Sequence, residues 1–388
     1  QEKVEYIRKR RLKYPVWINM SEFRISIIGS RGIPAKYGGF ETFAEEISRI
    51  LVKHNYDVTV QCDPDSFHDE YYNNVRLLFS KKNKSSGRIR YYFSGIFRGL
   101  KNSDILLVLG SGGAPFYFLN VFFRKIIITN PDGLEFKRSK WPLPVRLYWR
   151  FSDFMAAKLS DYIVADSASI GDHFIKKYNI DSSRLRIIEY GAHINNNPDK
   201  EILDKYRLKH KEYFLVVCRF EPENNLHTIL EGFLMSGSVY KIVVVGNHSL
   251  NRYGRNLIRK FQSDKIIFTG GIYDKRELAA LRYSCRAYLH GHSVGGTNPS
   301  LLEAMASSNP VICHDNVFNR EVTADNQLYF KNAGDCAQRI SEIEKMDENE
   351  LSAFGKAARQ RITEYYNWDI IGNKYLEFLD SIRRDKCF

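Results

Sequence analysis

Arg24-Ile25-Ser26-Ile27-Ile28-Gly29 is an apolar run of strand length that opens directly into Ser30-Arg31-Gly32-Ile33-Pro34-Ala35-Lys36-Tyr37-Gly38-Gly39-Phe40-Glu41. Beyond that loop Phe43, Ile47, Ile50 and Leu51 recur at helical spacing, which predicts a helix from about Phe40 to Lys53. A buried strand, a glycine-bearing loop and an amphipathic helix form the unit from which parallel sheets with crossover helices are built. The unit repeats to about Phe330. In the first half, strands are expected at Asp57 to Cys62, Val75 to Phe79, Ile105 to Leu109, Ile126 to Thr129 and Tyr162 to Ala165. The polar stretch INNNPDKE after Ala192 reads as a linker. A second series follows, with strands at Tyr213 to Cys218, Lys241 to Val245, Lys265 to Thr269, Ala287 to His290 and Pro310 to Cys313, and helices over 225–235, 274–284 and 298–307. The fold class is therefore α/β: two doubly wound domains facing a cleft, with the ligand beyond the carboxyl ends of the strands. The pattern divides the chain into a basic arm (1–20), a first domain (21–192), a second domain (193–365) and a last helical segment (366–388) that opens with the break at Tyr366-Asn367-Trp368-Asp369.

With 44% apolar and 27% charged residues, 25 glycines and only 11 prolines, the 388-residue chain is neither disordered nor collagenous. No apolar run approaches the roughly 18 to 20 residues a spanning helix needs; the longest candidate, Ala114 to Phe123, is interrupted by Asn120. Six cysteines are spread singly, with no zinc-site spacing, and no signal-peptide pattern opens the sequence, so a reduced, cytoplasmic setting is expected. The net charge of +13 is lopsided. Residues 1–192 hold 31 Lys and Arg against 20 Asp and Glu, whereas 193–388 hold 27 against 25. The excess is interleaved with aromatics at Arg88 to Lys101, Phe116 to Lys125 and Trp141 to Phe151. An anionic membrane surface suits that composition, since cations gain there and aromatics settle at headgroup level. A solvated face over buried aromatics, or a single-strand nucleic-acid groove, has the same composition. Membrane contact is the expectation carried forward, with no nucleic-acid partner.

Four loops carry candidate chemistry. In the first, Gly38 and Gly39 precede a helix N-terminus suited to phosphate, with Arg31 and Lys36 beside them; it is neither a G-x-G-x-x-G nor a P-loop. The second is Gly110-Ser111-Gly112-Gly113, which tight packing explains as well as a ligand does. In the third, Asp132 and Glu135 stand near Lys137, Arg138 and Lys140, a set able to orient hydroxyls of a polar acceptor with Asp132 as a candidate base, or simply to pair at the surface. The fourth is His290 to Ala306, where Gly295, Gly296, Thr297 and the N-cap Asn298 lead into a helix opened by Pro299, a geometry suited to a diphosphate, and where Glu303 is a candidate acceptor for ribose hydroxyls. Arg219, directly after a strand, is a candidate phosphate clamp. Asp63-Pro64-Asp65 reads as a loop after the second strand, and His290 and His292 lack a third metal ligand, so no metal is expected.

These strings resemble glycosyltransferases of family 4 with the GT-B fold, and the resemblance runs from about Phe23 to Ile382. Gly38-Gly39-Phe40-Glu41 is similar to that family's GG-x-E loop. Phe268-Thr269-Gly270-Gly271 and Glu303-Ala304-Met305-Ala306 resemble its donor-site strand end and glutamate-bearing helix, and YNWD resembles the start of the segment that crosses back to the first domain. Within the family, GSRGIPAKYGGFET, NPDGLEFKRSKW, RFEPENN and HSVGGTNPSLLEAMA resemble bacterial rhamnosyltransferases of capsule and cell-wall polysaccharide assembly.

The resemblance implies an acceptor-binding first domain, a nucleotide-sugar-binding second domain, and a retaining, metal-independent transfer without a cofactor. The donor it implies is dTDP-β-L-rhamnose, and the acceptor a glucose or N-acetylglucosamine on a polyprenyl diphosphate; a UDP- or GDP-sugar donor fits the same motifs. It assigns Gly38, Gly39, Arg219, Gly270, Gly271, Gly295, Gly296, Thr297, Asn298 and Glu303 to the donor. Arg31, Lys36, Asp132, Glu135, Lys137 and Arg138 fall to the acceptor, and Asp132, Glu135 and Arg219 to catalysis. Two positions depart from the family pattern: Gly295 stands where the first of two glutamates eight apart is usual, and Asn224 where a phosphate-binding lysine is usual.

Overall fold

The computed structural model describes residues 23–36, 38–65, 69–84, 87–138, 140–194, 198 and 200–386; the arm 1–20, Tyr37, Ser139 and most of the linker lie outside the described residues. Two sheets form the two domains. The first contains β1 (Arg24–Ile28), β2 (Asp57–Cys62), β3 (Tyr71–Tyr72), β4 (Val75–Phe79), β5 (Ile105–Leu109), β6 (Ile126–Asn130), β7 (Tyr162–Ala165) and β8 (Leu185–Ile187) in the order β3-β4-β2-β1-β5-β6-β7-β8. Every pairing is parallel except that of β3 with β4. The second contains β9 (Tyr213–Val217), β10 (Lys241–Val245), β11 (Ile266–Gly270), β12 (Ala287–His290), β13 (Val311–His314) and β14 (Leu328–Phe330), all parallel, in the order β11-β10-β9-β12-β13-β14.

Strand order reverses between β1 and β5 in one sheet and between β9 and β12 in the other. At such switch points the two outgoing loops diverge and leave a crevice. The loops there are the ones richest in glycine or candidate phosphate ligands: Gly29 to Gly38 and Gly110 in the first domain, Arg219 and His290 to Asn298 in the second. Gly29 adopts φ +99°, and a Cβ there would lie 2.3 Å from the Leu109 carbonyl oxygen, so β1 and β5 approach closely only because that side chain is missing.

The helices of the first domain are α1 (Gly39–Lys53), α2 (Arg88–Asn102), α3 (Leu143–Leu159) and α4 (Ala168–Tyr178). Those of the second are α5 (Leu226–Ser236), α6 (Arg252–Lys260), α7 (Lys275–Ser284), α8 (Pro299–Ala306), α9 (Val317–Thr323), α10 (Ala333–Lys345) and α11 (Glu348–Arg361), followed by α12 (Trp368–Lys386). A single π turn, Ile362–Tyr366, joins α11 to α12. α12 returns to the first domain: a Cβ on Gly372 would meet Ile50, Tyr375 packs edge-on to Phe43 at 5.4 Å, and Asp380 accepts a 2.6 Å hydrogen bond from the Tyr56 hydroxyl. The apolar stretch after Gly110 is a twelve-residue 3-10 helix, Ser111–Phe122, well beyond the length such helices usually reach. β3, β8 and β14, of two or three residues, are strands that the periodicity did not reveal.

Candidate functional site

The closed cleft is built from loops at the carboxyl ends of both sheets. α1 starts at Gly39, and a Cβ there would lie 3.1 Å from Pro299 at the start of α8, so the two helix N-termini face each other across the domain boundary. Glu41, nearly buried, accepts from the Arg31 amide at 2.7 Å and fixes the first loop. Beside it a cavity of about 430 Å³ is lined by Arg31, Gly32, Pro34, Lys36, Glu41, Asp63, Asp65 and Asn83, with Tyr273 contributed by the second domain. Asp63 and Asp65 do lie in a post-strand loop, but that loop faces the cleft. Asp63 accepts from the Lys84 amide at 2.7 Å and Asp65 from Asn83 at 2.5 Å.

Lys84 was not singled out by the sequence, yet it is a partly buried cation of the cleft. Its ammonium donates to the Gly29 carbonyl and lies 5.1 Å from the Phe40 ring centre and 5.8 Å from that of Tyr92. Burial, only partly opposed by Glu41 and Asp132, lowers its pKa to about 8. Arg88, the first residue of α2, stacks near Trp141 (5.2 Å) and Trp149 (5.5 Å). In local sequence both read as members of ordinary basic runs.

In the 130–141 segment Asp132 adopts φ +62°, its amide held by the Asn130 side chain at 3.0 Å. Burial raises its pKa against the pull of Arg138 and Arg219. Burial also pushes Glu135 upward, but Arg138, Trp141, Lys140 and Arg219 outweigh it, so its pKa ends lowered. Two carboxyls three residues apart are thus driven in opposite directions, the pattern that separates a proton-accepting group from a fixed anion. The Arg138 guanidinium lies 2.6 Å from Glu135 and 3.6 Å from Glu223 of the second domain, and Lys140 lies 3.9 Å from Glu221. Arg138 is therefore a tie between the domains, its side chain only 8% exposed. Lys137 is exposed and stands near His173.

The second domain supplies the opposite wall. Arg219 is exposed at the end of β9, and its carbonyl accepts from the Asn224 amide at 2.7 Å; Asn224 shapes the turn that presents Arg219. His290 and His292 stack at 4.4 Å. Burial holds both well below the usual imidazole range, His290 at about 3, so the pair is neutral. Gly295 lies against the first domain, where a Cβ on Gly133 would sit 2.6 Å from its Cα; a Cβ on Gly296 would sit 1.9 Å from Asp166 Oδ1. The Thr297 hydroxyl is spent on the Asp166 carbonyl, while the Asn298 side chain caps α8 by accepting from Ser300 at 3.1 Å. Glu303 is ion-paired with Arg282 at 2.5 Å and still 38% exposed. Gly270 (φ +76°) and Gly271 lie at the end of β11, and the space beside Gly270 is open. Among the described residues no cluster of three His, Cys, Asp or Glu side chains could hold a metal ion.

Two facing doubly wound domains with glycine-bearing loops at the cleft define a fold of the GT-B type. Residues 23–193 match the family described as "Domain of unknown function (DUF1972)", and residues 198–361 match "Glycosyl transferases group 1". The second domain is thus similar to the group 1 glycosyl transferases. Among curated proteins, the chain is 28% identical over 190 residues to the O-antigen chain mannosyltransferase RfbU of Salmonella typhimurium, a match covering 47% of this chain and half of that protein's length. An uncharacterized glycosyltransferase of Methanocaldococcus jannaschii is 24% identical, with 94% of this chain and all of that protein covered. Sucrose-phosphate synthase of Thermosynechococcus elongatus superposes with a TM-score of 0.80 at 15% identity, covering 94% of this chain and 100% of that one. Anabaena HepE in complex with UDP-glucose superposes with a TM-score of 0.73 at 13% identity, covering 93% and 100%. These likenesses establish the fold.

Proposed function

We propose that the chain is a retaining, metal-independent glycosyltransferase of bacterial surface polysaccharide synthesis. It moves L-rhamnose from dTDP-β-L-rhamnose to a glucose or N-acetylglucosamine carried on a polyprenyl diphosphate, at the cytoplasmic face of an anionic membrane. The observation that carries the transferase reading is the gathering of Lys84, Lys140 and Arg219 about Asp132 and Glu135, beside the contact of Gly133 with Gly295 where the two domains meet. Fixed cations and helix N-termini aimed at a departing diphosphate stabilise charge as it develops, usually the largest single contribution to such a transfer. Arg219 and the amides after Gly296 face that charge, and Gly38 and Gly39 approach it from the first domain on closure. Asp132 and Glu135 orient the acceptor hydroxyl.

Donor choice rests on the four long strings quoted above and on Gly295, which offers no carboxylate to sugar hydroxyls where the family pattern has one. A 6-deoxy sugar presents one hydroxyl fewer. A UDP- or GDP-sugar donor is the second reading, favoured by the UDP-glucose bound in the HepE neighbour and by the mannosyltransferase name of the Salmonella relative. The test is thermal stability against dTDP-rhamnose, UDP-glucose, UDP-N-acetylglucosamine, GDP-mannose and NAD, because a ligand that binds only the native state raises the midpoint. The largest rise is expected with dTDP-rhamnose; a rise confined to another sugar nucleotide replaces the donor, and a response to NAD alone overturns the transferase reading.

A further inference from the structure

The outer face of the first domain carries an apolar surface that the cleft does not use. α2 presents Ile89, Phe93 and Phe97 at successive i+4 positions, all exposed. The 3-10 helix adds Phe118, Val121 and Phe122, the last 79% exposed, and α3 adds Leu143, Leu147, Phe151 and Phe154. The 3-10 helix packs against both α2 and α3. Phe93 meets Phe116 at 5.4 Å and Phe97 meets Phe123 at 6.0 Å, which makes the first two stripes continuous. A groove of about 790 Å³ joins Phe118, Val121 and Phe122 to Leu159 at the end of α3. Ten large apolar side chains on one face exceed what a soluble monomer ordinarily leaves to water.

The charges on this face select its partner. Arg90, Lys101, Arg124, Arg146, Arg150 and Lys158 are exposed among these side chains. Across α2, the 3-10 helix and α3 the only acid is Asp153, which is buried and accepts from the Ser111 hydroxyl. Asp161, which lines the same groove and is exposed, sets one carboxylate, already accepting from the Ile127 amide at 2.8 Å, against these six cations. An aromatic surface framed predominantly by cations complements an anionic bilayer, with the rings below the headgroups and the cations among the phosphates. A protein partner would have to supply acids all around an apolar centre. Position gives the face its use. Because β4 and β6 end at the cleft, α2 and α3 both begin there, so the apolar face and the cleft share an edge marked by Arg88 between Trp141 and Trp149.

We propose that the surface formed by α2, the 3-10 helix and α3 inserts into an anionic bilayer and sets the mouth of the cleft at headgroup level. A lipid-linked acceptor then enters sideways, its diphosphate meeting the cations of the cleft while its tail stays in the membrane. The entry of the acceptor rests on the proposed lipid-diphosphate substrate; insertion of the face does not. The first measurement is flotation of the full chain with vesicles of phosphatidylcholine alone and of phosphatidylcholine with phosphatidylglycerol, without donor or acceptor. Binding is expected only to the anionic vesicles. The V121D/F122D double variant should lower it about tenfold or more, and R90E/R146E should lower it with a shallower salt dependence. These side chains are exposed, so unchanged circular dichroism and thermal midpoint identify a folded variant; M235S, an exposed position on α5, should bind as the unaltered chain does.

Failure of the unaltered chain to float, or binding that V121D/F122D leaves intact, overturns the proposal. A dimer in sedimentation equilibrium that V121D/F122D dissolves, without vesicle binding, would reassign the face to a second copy of the chain. If vesicle binding follows the expectation while no sugar nucleotide is turned over, the transferase reading fails and this one stands. If V121D/F122D transfers normally to a short-tailed soluble acceptor but loses transfer to a vesicle-borne one, both hold.

Discussion

Gly296→Ala is the substitution whose consequence the geometry fixes most tightly. A Cβ on residue 296 would lie 1.9 Å from Asp166 Oδ1, and 2.4 Å from both Cγ and Oδ2. Asp166 is 1% exposed at the end of β7, so its carboxyl group has no open space to move into, and the neighbouring Thr297 is anchored to its carbonyl. Relief of the overlap therefore requires the wall carrying Gly295 to Asn298 to retreat from the first domain by about 1 Å, and a displacement of that size at a reacting centre costs about 100-fold in rate, or about 2.7 kcal/mol. The three atoms that clash all belong to the Asp166 carboxyl group. Asp166→Ala should therefore leave room for the new methyl, and the double variant should transfer sugar at close to the rate of Asp166→Ala alone. The assay is steady-state transfer with whichever donor the unaltered enzyme uses, for all four members of the cycle. Unchanged kcat/KM in Gly296→Ala, or a double variant as slow as the product of the two single effects, would refute the apposition of the two walls.

Asp153 is raised to about 7 by burial, against its Ser111 bond. Its protonated form is thus favoured on folding, and stability is lost as pH rises from about 4 to 7 and stays reduced above. Asp153→Asn should raise stability by about 1 to 4 kcal/mol at pH 8 and by little at pH 4, read as thermal midpoints at both pH values. Lys84, lowered to about 8 by burial, loses its charge as pH climbs past that value; Lys84→Met should cut transfer about 100-fold, and the fall in the pH–rate profile above 8 should vanish in that variant. Arg138→Leu strands Glu223, whose carboxylate is almost fully buried, and removes the nearer partner of Glu135; it should destabilise by about 3 kcal/mol in urea unfolding, with partial recovery in the Arg138→Leu/Glu223→Leu pair. Transfer measured in EDTA should equal that in magnesium; its abolition would end the metal-independent scheme.

What the sequence by itself determined was the α/β class, the doubling of the fold and the loops that reach the cleft. Strands buried on both faces read as continuous apolar runs, as RISII, ILLVL and KIVVV do, and that signal is local. Edge pieces such as β3 and β14 have too few residues to show a period. The glycine-bearing loops were legible because chain order places them after strands, and the motifs they carry are contiguous.

Which side chains meet was decided only by tertiary structure. Arg138 read as an acceptor ligand, yet its partner Glu223 belongs to the other domain. Glu303 reaches Arg282, and the Thr297 hydroxyl is taken by Asp166, 131 residues away. Lys84 looked like one more lysine in a polar run until the chain folded it onto Gly29 beneath Phe40. Local patterns record how each segment divides its surface between core and water. Burial of a charge, and so its pKa and its role, depends on what the opposite wall brings to it, and that is set by contacts between residues far apart in the chain.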